Sequence, residues 1–213
     1  MKCPICDYEG DFDEIKTYDQ FNNNNELIRH KCTNCELIFG SEEMLKLPKE
    51  ELSKQYVELY KNYSECDTTN IQVGIFNKCF SKPGKYLNIG SGKINLAKHL
   101  PNIDLYEYDP HIEKLHDKSI NLIDEVIKIG PFDGIFTHNV IEHYQNPIDE
   151  LIFHSSLLKN DGMIVHSTIC YNYECVNTRF HLFFYLGKST EYLANKAGLK
   201  LINLGKNYKG FIK

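Results

Sequence analysis

The sequence predicts an α/β protein in which a small cysteine-rich module precedes a larger domain built on a parallel β-sheet. Two Cys-x-x-Cys pairs lie within the first 35 residues, and from residue 85 onward short apolar runs alternate with helical patterns. Strands that alternate with helices are typical of parallel sheets. We therefore expect a cysteine module over residues 1–40, a helical connector over 41–80 and the larger domain over 81–213.

The cysteine module is expected to hold a metal ion. Cys3 and Cys6 form one pair, Cys32 and Cys35 form the other, and 25 residues separate the pairs. Two such pairs supply the four thiolates of a tetrahedral zinc site, which leaves no open position, so the zinc is predicted to be structural. A redox dithiol, or two unrelated reduced pairs, is the alternative interpretation.

A β-hairpin is predicted between the two cysteine pairs, which makes the module a zinc ribbon. Four consecutive asparagines at 22–25 suit a hairpin tip, and residues 14–18 and 27–31 suit its strands. The other four cysteines show no ligand spacing and are expected to be small buried hydrophobic residues. These are Cys66, Cys79, Cys170 and Cys175.

The connector is predicted to contain an amphipathic helix rich in tyrosine. Leu52, Tyr56, Leu59 and Tyr63 recur at helical spacing, and Tyr60 lies on the adjoining edge of that stripe. The stripe either packs on the next domain or brings its phenol groups over an active site. Both interpretations stay open from the sequence.

The larger domain carries a ligand-binding pattern at the ends of its first two strands. Strands are predicted at 85–89, 103–108, 132–137 and 163–168, with helices at 95–100 and 148–158. Gly90 and Gly92 follow the first strand, where glycine lets the backbone approach a ligand closely. Asp109 ends the second strand, where a carboxylate can accept hydrogen bonds from both ribose hydroxyls.

The third strand and its surroundings carry the most specific signal. Residues 132–147 read FDGIFTHNVIEHYQNP, residues 157–162 read LLKNDG, and residues 179–185 read RFHLFFY before a helix expected at 189–198. Over residues 85–204 this order of motifs resembles the class I S-adenosylmethionine-dependent methyltransferases. The resemblance implies a Rossmann-like sheet with helices on both faces, and S-adenosylmethionine as cofactor.

The resemblance also implies a set of cofactor-binding residues. Asn88 stands where the family has an acid, Ile94 stands where it has a third glycine, and the span 110–131 is short. Asp124 is the expected adenine contact, or else residues 121–124 form a shortened strand end. The full implied set is Asn88, Gly90, Gly92, Asp109, Asp124, His138 and Asn139.

A finer resemblance concerns the acceptor. A zinc ribbon, a tyrosine-bearing connector and a methyltransferase domain with a Glu-His turn are similar to the sugar C-methyltransferases. That similarity implies that Tyr60, Tyr63, Glu142 and His143 line a substrate pocket, and that the acceptor is a sugar, a nucleotide-sugar or a glycan precursor. His143 would remove the acceptor proton, or would instead be a hydrogen-bonded residue that holds the turn.

Charge and hydropathy exclude some partners. The net charge is −5, and residues 1–70 carry 15 acids against 8 bases, a balance that disfavours nucleic acid as a partner. No apolar stretch approaches the roughly 18 residues of a membrane span and the N-terminus lacks a signal pattern, so a cytoplasmic location is expected. The hypotheses are an active small-molecule methyltransferase, a degenerate methyltransferase fold used for binding or assembly, and a zinc-ribbon RNA methyltransferase, which the charge disfavours.

Overall fold

The structure is a computed structural model that describes residues 1–21, 25–62, 66–111, 114, 116–173 and 177–213; the side chains of residues 49 and 60–62 lie outside that description. Its contacts divide the chain into two compact units. Unit 1 comprises Met1–Cys66, Glu142–Gln145 and Ile169–Tyr192, and unit 2 comprises Asp67–Ile141, Asn146–Thr168 and Leu193–Lys213. Two short segments from the second half of the chain therefore fold with the N-terminal region. The boundaries expected at residues 40 and 80 stay predictions.

The strands and helices follow one another in a mixed order. The strands are β1 (Phe12–Tyr18), β2 (Glu26–Cys32), β3 (Ile38–Gly40), β4 (Lys85–Ile89), β5 (Asp104–Tyr108), β6 (Ser119–Ile120), β7 (Phe132–His138), β8 (Leu158–Ser167), β9 (Phe183–Phe184), β10 (Lys200–Asn203) and β11 (Tyr208–Ile212). The helices are α1 (Glu42–Leu45), α2 (Lys49–Asn62), α3 (Thr69–Cys79), α4 (Ile123–Ile129), α5 (Pro147–Ser156) and α6 (Ser189–Lys196). Short 3₁₀ turns lie at Ala97–His99, Ile141–His143 and Ile169–Tyr171.

Unit 1 contains an antiparallel sheet with the strand order β1-β2-β3-β9. The register from Phe12 opposite Cys32 to Tyr18 opposite Glu26 makes β1 and β2 the predicted hairpin. At its closing end the backbone N–H of Asp19 donates to the carbonyl of Asn25, 2.8 Å away. The hairpin prediction is confirmed, although residues 22–24 of the expected tip lie outside the described residues.

Unit 2 contains a seven-stranded sheet with the order β10-β11-β8-β7-β4-β5-β6. The strands from β8 to β6 pair in parallel, while β11 pairs antiparallel with both of its neighbours, so β11 alone runs against the other six described strands of this sheet. The chain order reverses at β4, which lies between β5 and β7. The predicted Rossmann-like α/β class is confirmed. In such sheets ligands bind at the carboxyl ends of the strands, at the point of reversal.

The core of unit 2 follows from residue alternation along the strands. Tyr86, Leu105, Phe136 and Val165 are buried in one cluster with Phe76 of α3. Because successive side chains of a strand point to opposite faces, Asn88 shares the face of Tyr86, and Glu107 shares the face of Leu105. Asn88 and Glu107 therefore lie on the same face as the buried apolar cluster, two residues closer to the carboxyl ends of their strands.

Several predicted elements differ in extent from the observed ones. The helix expected at 95–100 is only the 3₁₀ turn Ala97–His99: Asn95 Oδ1 accepts the Lys98 N–H at its start, and Pro101 prevents the turn from continuing. The strand expected at 121–124 is wrong, since β6 ends at Ile120 and α4 begins at Ile123. The helix expected at 148–158 is confirmed as α5, which Asn146 caps by accepting the Asp149 N–H. No described helix has the length and apolar content that a membrane-spanning helix requires.

Candidate functional site

The loop after β4 is shaped so that only glycine fits its first position. Gly90 has φ +69°, in the left-handed region, and a Cβ there would lie 2.5 Å from Cγ2 of Val140. The N–H of Gly90 donates to the carbonyl of Tyr108 on β5 at 2.8 Å. The loop therefore turns over the end of the neighbouring strand, and glycine at position 90 lets the Val140 side chain pack directly on the backbone.

Asp109 contacts the glycine loop directly. Its Oδ2 accepts the N–H of Gly92 at 2.9 Å, and its Oδ1 accepts the N–H of His111 at 2.8 Å. Gly92 has φ +58°, so this loop residue also uses the conformational freedom of glycine. The predicted residues Gly90, Gly92 and Asp109 thus meet at the carboxyl edge of the sheet.

Two asparagines beside this loop, one buried and one half-buried, have buried polar atoms with no hydrogen-bond partner in the described part of the chain. Asn88 is 1% exposed, and neither its Nδ2 nor its Oδ1 has a hydrogen-bond partner among the described residues. Asn139, which follows β7 with φ +54°, likewise leaves a buried Oδ1 without a partner in that part of the chain. Buried polar groups normally find hydrogen bonds because an unmet one costs about 1–3 kcal/mol. The hydrogen-bonding atoms of these two asparagines would suit a polar ligand, such as the aminocarboxypropyl and ribose groups of S-adenosylmethionine.

Glu107 is a buried acid that the sequence analysis did not single out. It is 2% exposed, and its Oε1 accepts the N–H of Leu96 at 2.6 Å while its Oε2 contacts the ring of His116. The sequence feature that could identify Glu107 is an acid at an inward-facing position of strand β5, which reads DLYEY. Ile94, which stands in the place of a third glycine, packs its side chain against the hydrophobic core.

The remaining predicted cofactor residues occupy different environments. His138 ends β7, and its Nδ1 lies 3.1 Å from Oγ of Ser167. Burial lowers the pKa of His138 to about 4, so its ring is neutral at pH 7. Asp124 is exposed in the first turn of α4, three residues beyond Asn121, which directly follows β6. An adenine contact by Asp124 stays a prediction.

The four cysteines of the module converge in unit 1. Sγ of Cys3 lies 3.7 Å from Sγ of Cys35, and Sγ of Cys6 lies 3.6 Å from Sγ of Cys32. Zinc–sulfur bonds of about 2.3 Å at tetrahedral angles place sulfurs about 3.8 Å apart, so the cluster fits zinc. Burial raises the pKa of the Cys32 thiol, and a bound cation would hold this sulfur as a thiolate.

Each cysteine pair is followed by a matching backbone turn. Asp7 after Cys6 and Glu36 after Cys35 have φ of 60° and 67°, both left-handed. The N–H of Asp7 donates to the carbonyl of Cys3, and the N–H of Glu36 donates to the carbonyl of Cys32. The two pairs therefore form equivalent knuckles. Among the cysteines expected to be buried, Cys170 is fully buried and Cys79 is half-buried. Cys66 is exposed, which contradicts the expectation, because it lies in an irregular segment before α3, and Cys175 lies outside the described residues.

A histidine and tyrosine cluster also lies in unit 1. Nδ1 of His143 is 2.8 Å from the carbonyl oxygen of Phe180 and 2.8 Å from the hydroxyl of Tyr56. A carbonyl oxygen only accepts, so Nδ1 carries a proton, and in the neutral ring the lone pair is then on Nε2. Tyr56 belongs to the predicted helical stripe, but the sequence alone does not identify it as a site residue. The side chain of Tyr60 and all of Tyr63 lie outside the described residues.

Glu142 is buried among tyrosines. It is 0% exposed, and its charge adds to the effect of burial in raising the pKa values of Tyr56, Tyr171 and Tyr185. These phenols therefore stay protonated and act as hydrogen-bonding groups. Sequence spacing could not have revealed this cluster, because Tyr171 and Tyr185 come from a different segment than Tyr56.

Comparisons with known proteins support the fold. No protein-family model and no curated protein matches the chain. Among solved structures, the chain is similar to the 1,6-didemethyltoxoflavin-N1-methyltransferase of Burkholderia thailandensis, solved with 1,6-didemethyltoxoflavin and S-adenosylhomocysteine: the TM-score is 0.63 at 14% identity, over 87% of this chain and 98% of that one. It is also similar to DesVI of Streptomyces venezuelae, with a TM-score of 0.53 at 10% identity over 78% and 98% of the two chains. Together with the strand order, these similarities show a class I methyltransferase fold.

Proposed function

We propose that this protein transfers a methyl group from S-adenosylmethionine to a small-molecule acceptor. The observation that carries the proposal is the contact between Gly92 and Asp109 at the reversal point of the sheet. Beside it lies the buried amide of Asn88, which has no hydrogen-bond partner among the residues that the structure describes. A glycine turn and a carboxylate at this position would suit the ribose of the cofactor. The amide of Asn88 would suit the charged groups of the amino-acid portion of the cofactor.

Different residues of unit 2 are proposed to bind different parts of the cofactor. Asp109 would accept the two ribose hydroxyls, and the backbone around Gly90 would line the amino-acid portion. Asn88 and Asn139 would hydrogen bond to its ammonium and carboxylate groups. His138, neutral at pH 7, would act as a hydrogen-bonding group rather than as a cation, and Asp124 is the proposed adenine contact. When bound, S-adenosylmethionine supplies an electrophilic methyl group on a cationic sulfur.

His143 is proposed as the base that removes the acceptor proton. Its Nδ1 donates to the carbonyl of Phe180, which leaves the lone pair of Nε2 available for a proton. Tyr56 helps to hold this ring orientation. Glu142, Tyr60 and Tyr63 are proposed acceptor-binding residues on the resemblance to sugar C-methyltransferases, and the proposed acceptor is accordingly a sugar, a nucleotide-sugar or a glycan precursor.

The four-cysteine cluster is proposed to hold a structural Zn²⁺. Its sulfur spacing and paired knuckles support this assignment. Four thiolates complete the tetrahedral shell, so the ion would stabilise the fold of unit 1 and take no part in methyl transfer.

The test is calorimetric titration with S-adenosylmethionine and with S-adenosylhomocysteine. We expect micromolar binding to the wild-type protein and a loss of at least tenfold in affinity for Asp109→Ala. The matched control is Asp104→Asn, which changes an exposed acid at the opposite end of the same strand, where it pairs with Lys118. The control should bind like the wild type.

Transfer of labelled methyl groups then separates the hypotheses. Labelling of nucleotide-linked sugars supports the proposed acceptor, whereas labelling of planar heterocycles alone would retain the methyltransferase and reject the sugar. Absence of binding at millimolar cofactor, in protein with an intact far-ultraviolet spectrum, would contradict the proposal and favour the degenerate fold used for binding or assembly.

A further inference from the structure

Unit 1 contains a second group of side chains with metal-ligand chemistry, apart from the four cysteines. Glu142, Cys170 and His181 each place one possible ligand atom within 4.8 Å of the other two. They come from three separated positions in the chain, and nothing in their spacing suggested a site. Glu142 and Cys170 are both 0% exposed, and His181 is partly exposed.

The geometry points to a second zinc site, in which Glu142, Cys170 and His181 are three protein ligands and the described part of the chain supplies no fourth one. The donor set is a carboxylate oxygen, a thiolate sulfur and an imidazole nitrogen. Zinc accepts all three kinds of donor, whereas magnesium and calcium prefer oxygen alone. Three protein ligands with an open position is the arrangement of catalytic rather than structural zinc.

The distances between the ligand atoms support this inference. Sγ of Cys170 lies 3.7 Å from Nδ1 of His181. Bonds of about 2.3 Å to sulfur and about 2.05 Å to nitrogen, at the tetrahedral angle, separate the two atoms by about 3.6 Å. The pair therefore needs a movement of about a tenth of an ångström to share one ion, and the carboxylate lies within reach of both.

The backbone holds the three ligands in place without a metal. The N–H of Leu182 donates to the carbonyl of Glu142 at 2.8 Å, which joins the Glu142 turn to the strand that follows His181. The carbonyl of Cys170 accepts the N–H of Tyr185, also at 2.8 Å. Each ligand thus lies within one residue of a backbone hydrogen bond that links two of the three segments.

A buried arginine fixes the third segment. Arg29 of β2 is 0% exposed, and its guanidinium donates to the carbonyls of His181 and Thr178 at 2.6 and 2.7 Å. It also lies over the ring of Phe184 at 4.7 Å. Because Arg29 lies on the strand between the two cysteine pairs, folding of the ribbon would position His181 for binding.

His143 lies beside the ligand that is partly exposed, His181. The rings of His143 and His181 are in edge contact, with centroids 5.0 Å apart. An oxygen ligand in the fourth position would be polarised by the ion, as water bound to zinc is. The proposed site therefore suits an acceptor with a hydroxyl group or a water molecule, and this last point alone depends on the proposed function.

The test is metal analysis of the full chain after loading with excess zinc and removal of the unbound ion. We expect two zinc ions per chain in the wild-type protein and in Cys79→Ala, which removes a cysteine that is in neither cluster. Cys170→Ala and His181→Gln should each retain one ion. Binding of S-adenosylmethionine by these variants checks unit 2 independently, so failure of the methyltransferase proposal would not be mistaken for failure of this one.

A measurement on the unaltered chain guards against variants that do not fold. Titration with Co²⁺ should show two successive spectra, one from a four-sulfur site and one with a single sulfur ligand and weaker charge-transfer absorption. A single zinc equivalent in the wild type, or a single cobalt spectrum of four-sulfur type, would overturn the inference. Cys170 and His181 would then be a thiol and an imidazole joined by a hydrogen bond.

Discussion

Asn88 and Glu107 are register partners on the adjacent parallel strands β4 and β5, and both are almost completely buried. Glu107 accepts a hydrogen bond from the backbone N–H of Leu96 and contacts the ring of His116. An acid at position 88 would bring a second carboxylate beside it, and like charges at paired positions repel. The amide therefore suits this particular sheet, and it keeps hydrogen-bonding atoms where the family pattern has an acid.

Substitution of Asn88 should separate stability from cofactor binding. In Asn88→Ala the buried unpartnered amide is removed, so we expect the free energy of unfolding to change by less than about 1 kcal/mol while cofactor affinity falls at least tenfold. Asn88→Asp should lose about 1–3 kcal/mol at pH 8 and less at pH 5, where one carboxyl can take up a proton. Denaturant unfolding at both pH values and calorimetry check this. Equal stability of the Asp variant at both pH values would contradict the repulsion.

Gly90 and Val140 should be coupled. Gly90→Ala imposes a left-handed φ of +69° on a residue with Cβ and brings that atom to 2.5 Å from Val140, so we expect a loss of about 2–4 kcal/mol. Val140→Ala removes the obstructing atoms, and the double variant should recover all but the backbone cost of about 1–2 kcal/mol. The coupling energy from the four unfolding curves is the measurement, with Val140→Ala as the matched control. Additive losses would mean that the loop relaxes away from Val140.

Tyr56 should act through His143. Tyr56→Phe removes the hydroxyl that lies 2.8 Å from Nδ1, a hydrogen bond worth about 1 kcal/mol, so we expect methyl transfer to slow about fivefold. His143→Gln should slow it by about 10²–10⁴-fold, the usual contribution of a general base. Neither change should alter affinity for the cofactor, which is read by calorimetry. Nitrogen chemical shifts of His143 should show a proton on Nδ1 in the wild type, and a proton on Nε2 instead would contradict the assigned ring state.

Three histidines with lowered pKa values, two of them buried and one half-buried, should make unit 2 sensitive to acid. Burial lowers the pKa values of His138 and His154 to about 4, and it holds the pKa of His166 well below its usual range. The unfolded chain takes up these protons near pH 6.5 and the folded chain does not, so stability is present above that pH and falls as pH decreases towards 4. Each histidine contributes a slope of up to about 1.4 kcal/mol per pH unit.

Replacing one of these histidines tests that slope. Unfolding curves between pH 7 and 4.5 should fall less steeply for His154→Gln than for the wild type. The exposed His111→Gln, which lies outside the core, should leave the slope unchanged. Identical slopes for the wild type and the His154 variant would show that this ring is protonated in the folded state.

Short-range patterns in the sequence were sufficient to predict many features of this protein. Knuckle spacing identified Cys3, Cys6, Cys32 and Cys35, turn residues identified the hairpin, and glycine after a β run identified the loop that Asp109 contacts. Each of these features depends on residues near one another in the chain, or on the general rule that parallel strands end at a common edge. The α/β class followed for the same reason, because periodicity reports which face of an element is buried.

The tertiary structure alone decided which distant side chains meet. Periodicity shows that a residue is inward but not what lies opposite it, so the pairing of Asn88 with Glu107 could not be read from either strand. The hydroxyl of Tyr56 reaches a histidine 87 residues away, and Glu142 meets Cys170 and His181 because two separate segments of the chain both fold with the N-terminal region. Long-range contacts depend on register and chain path, and these are set by packing over the whole unit rather than by any local pattern.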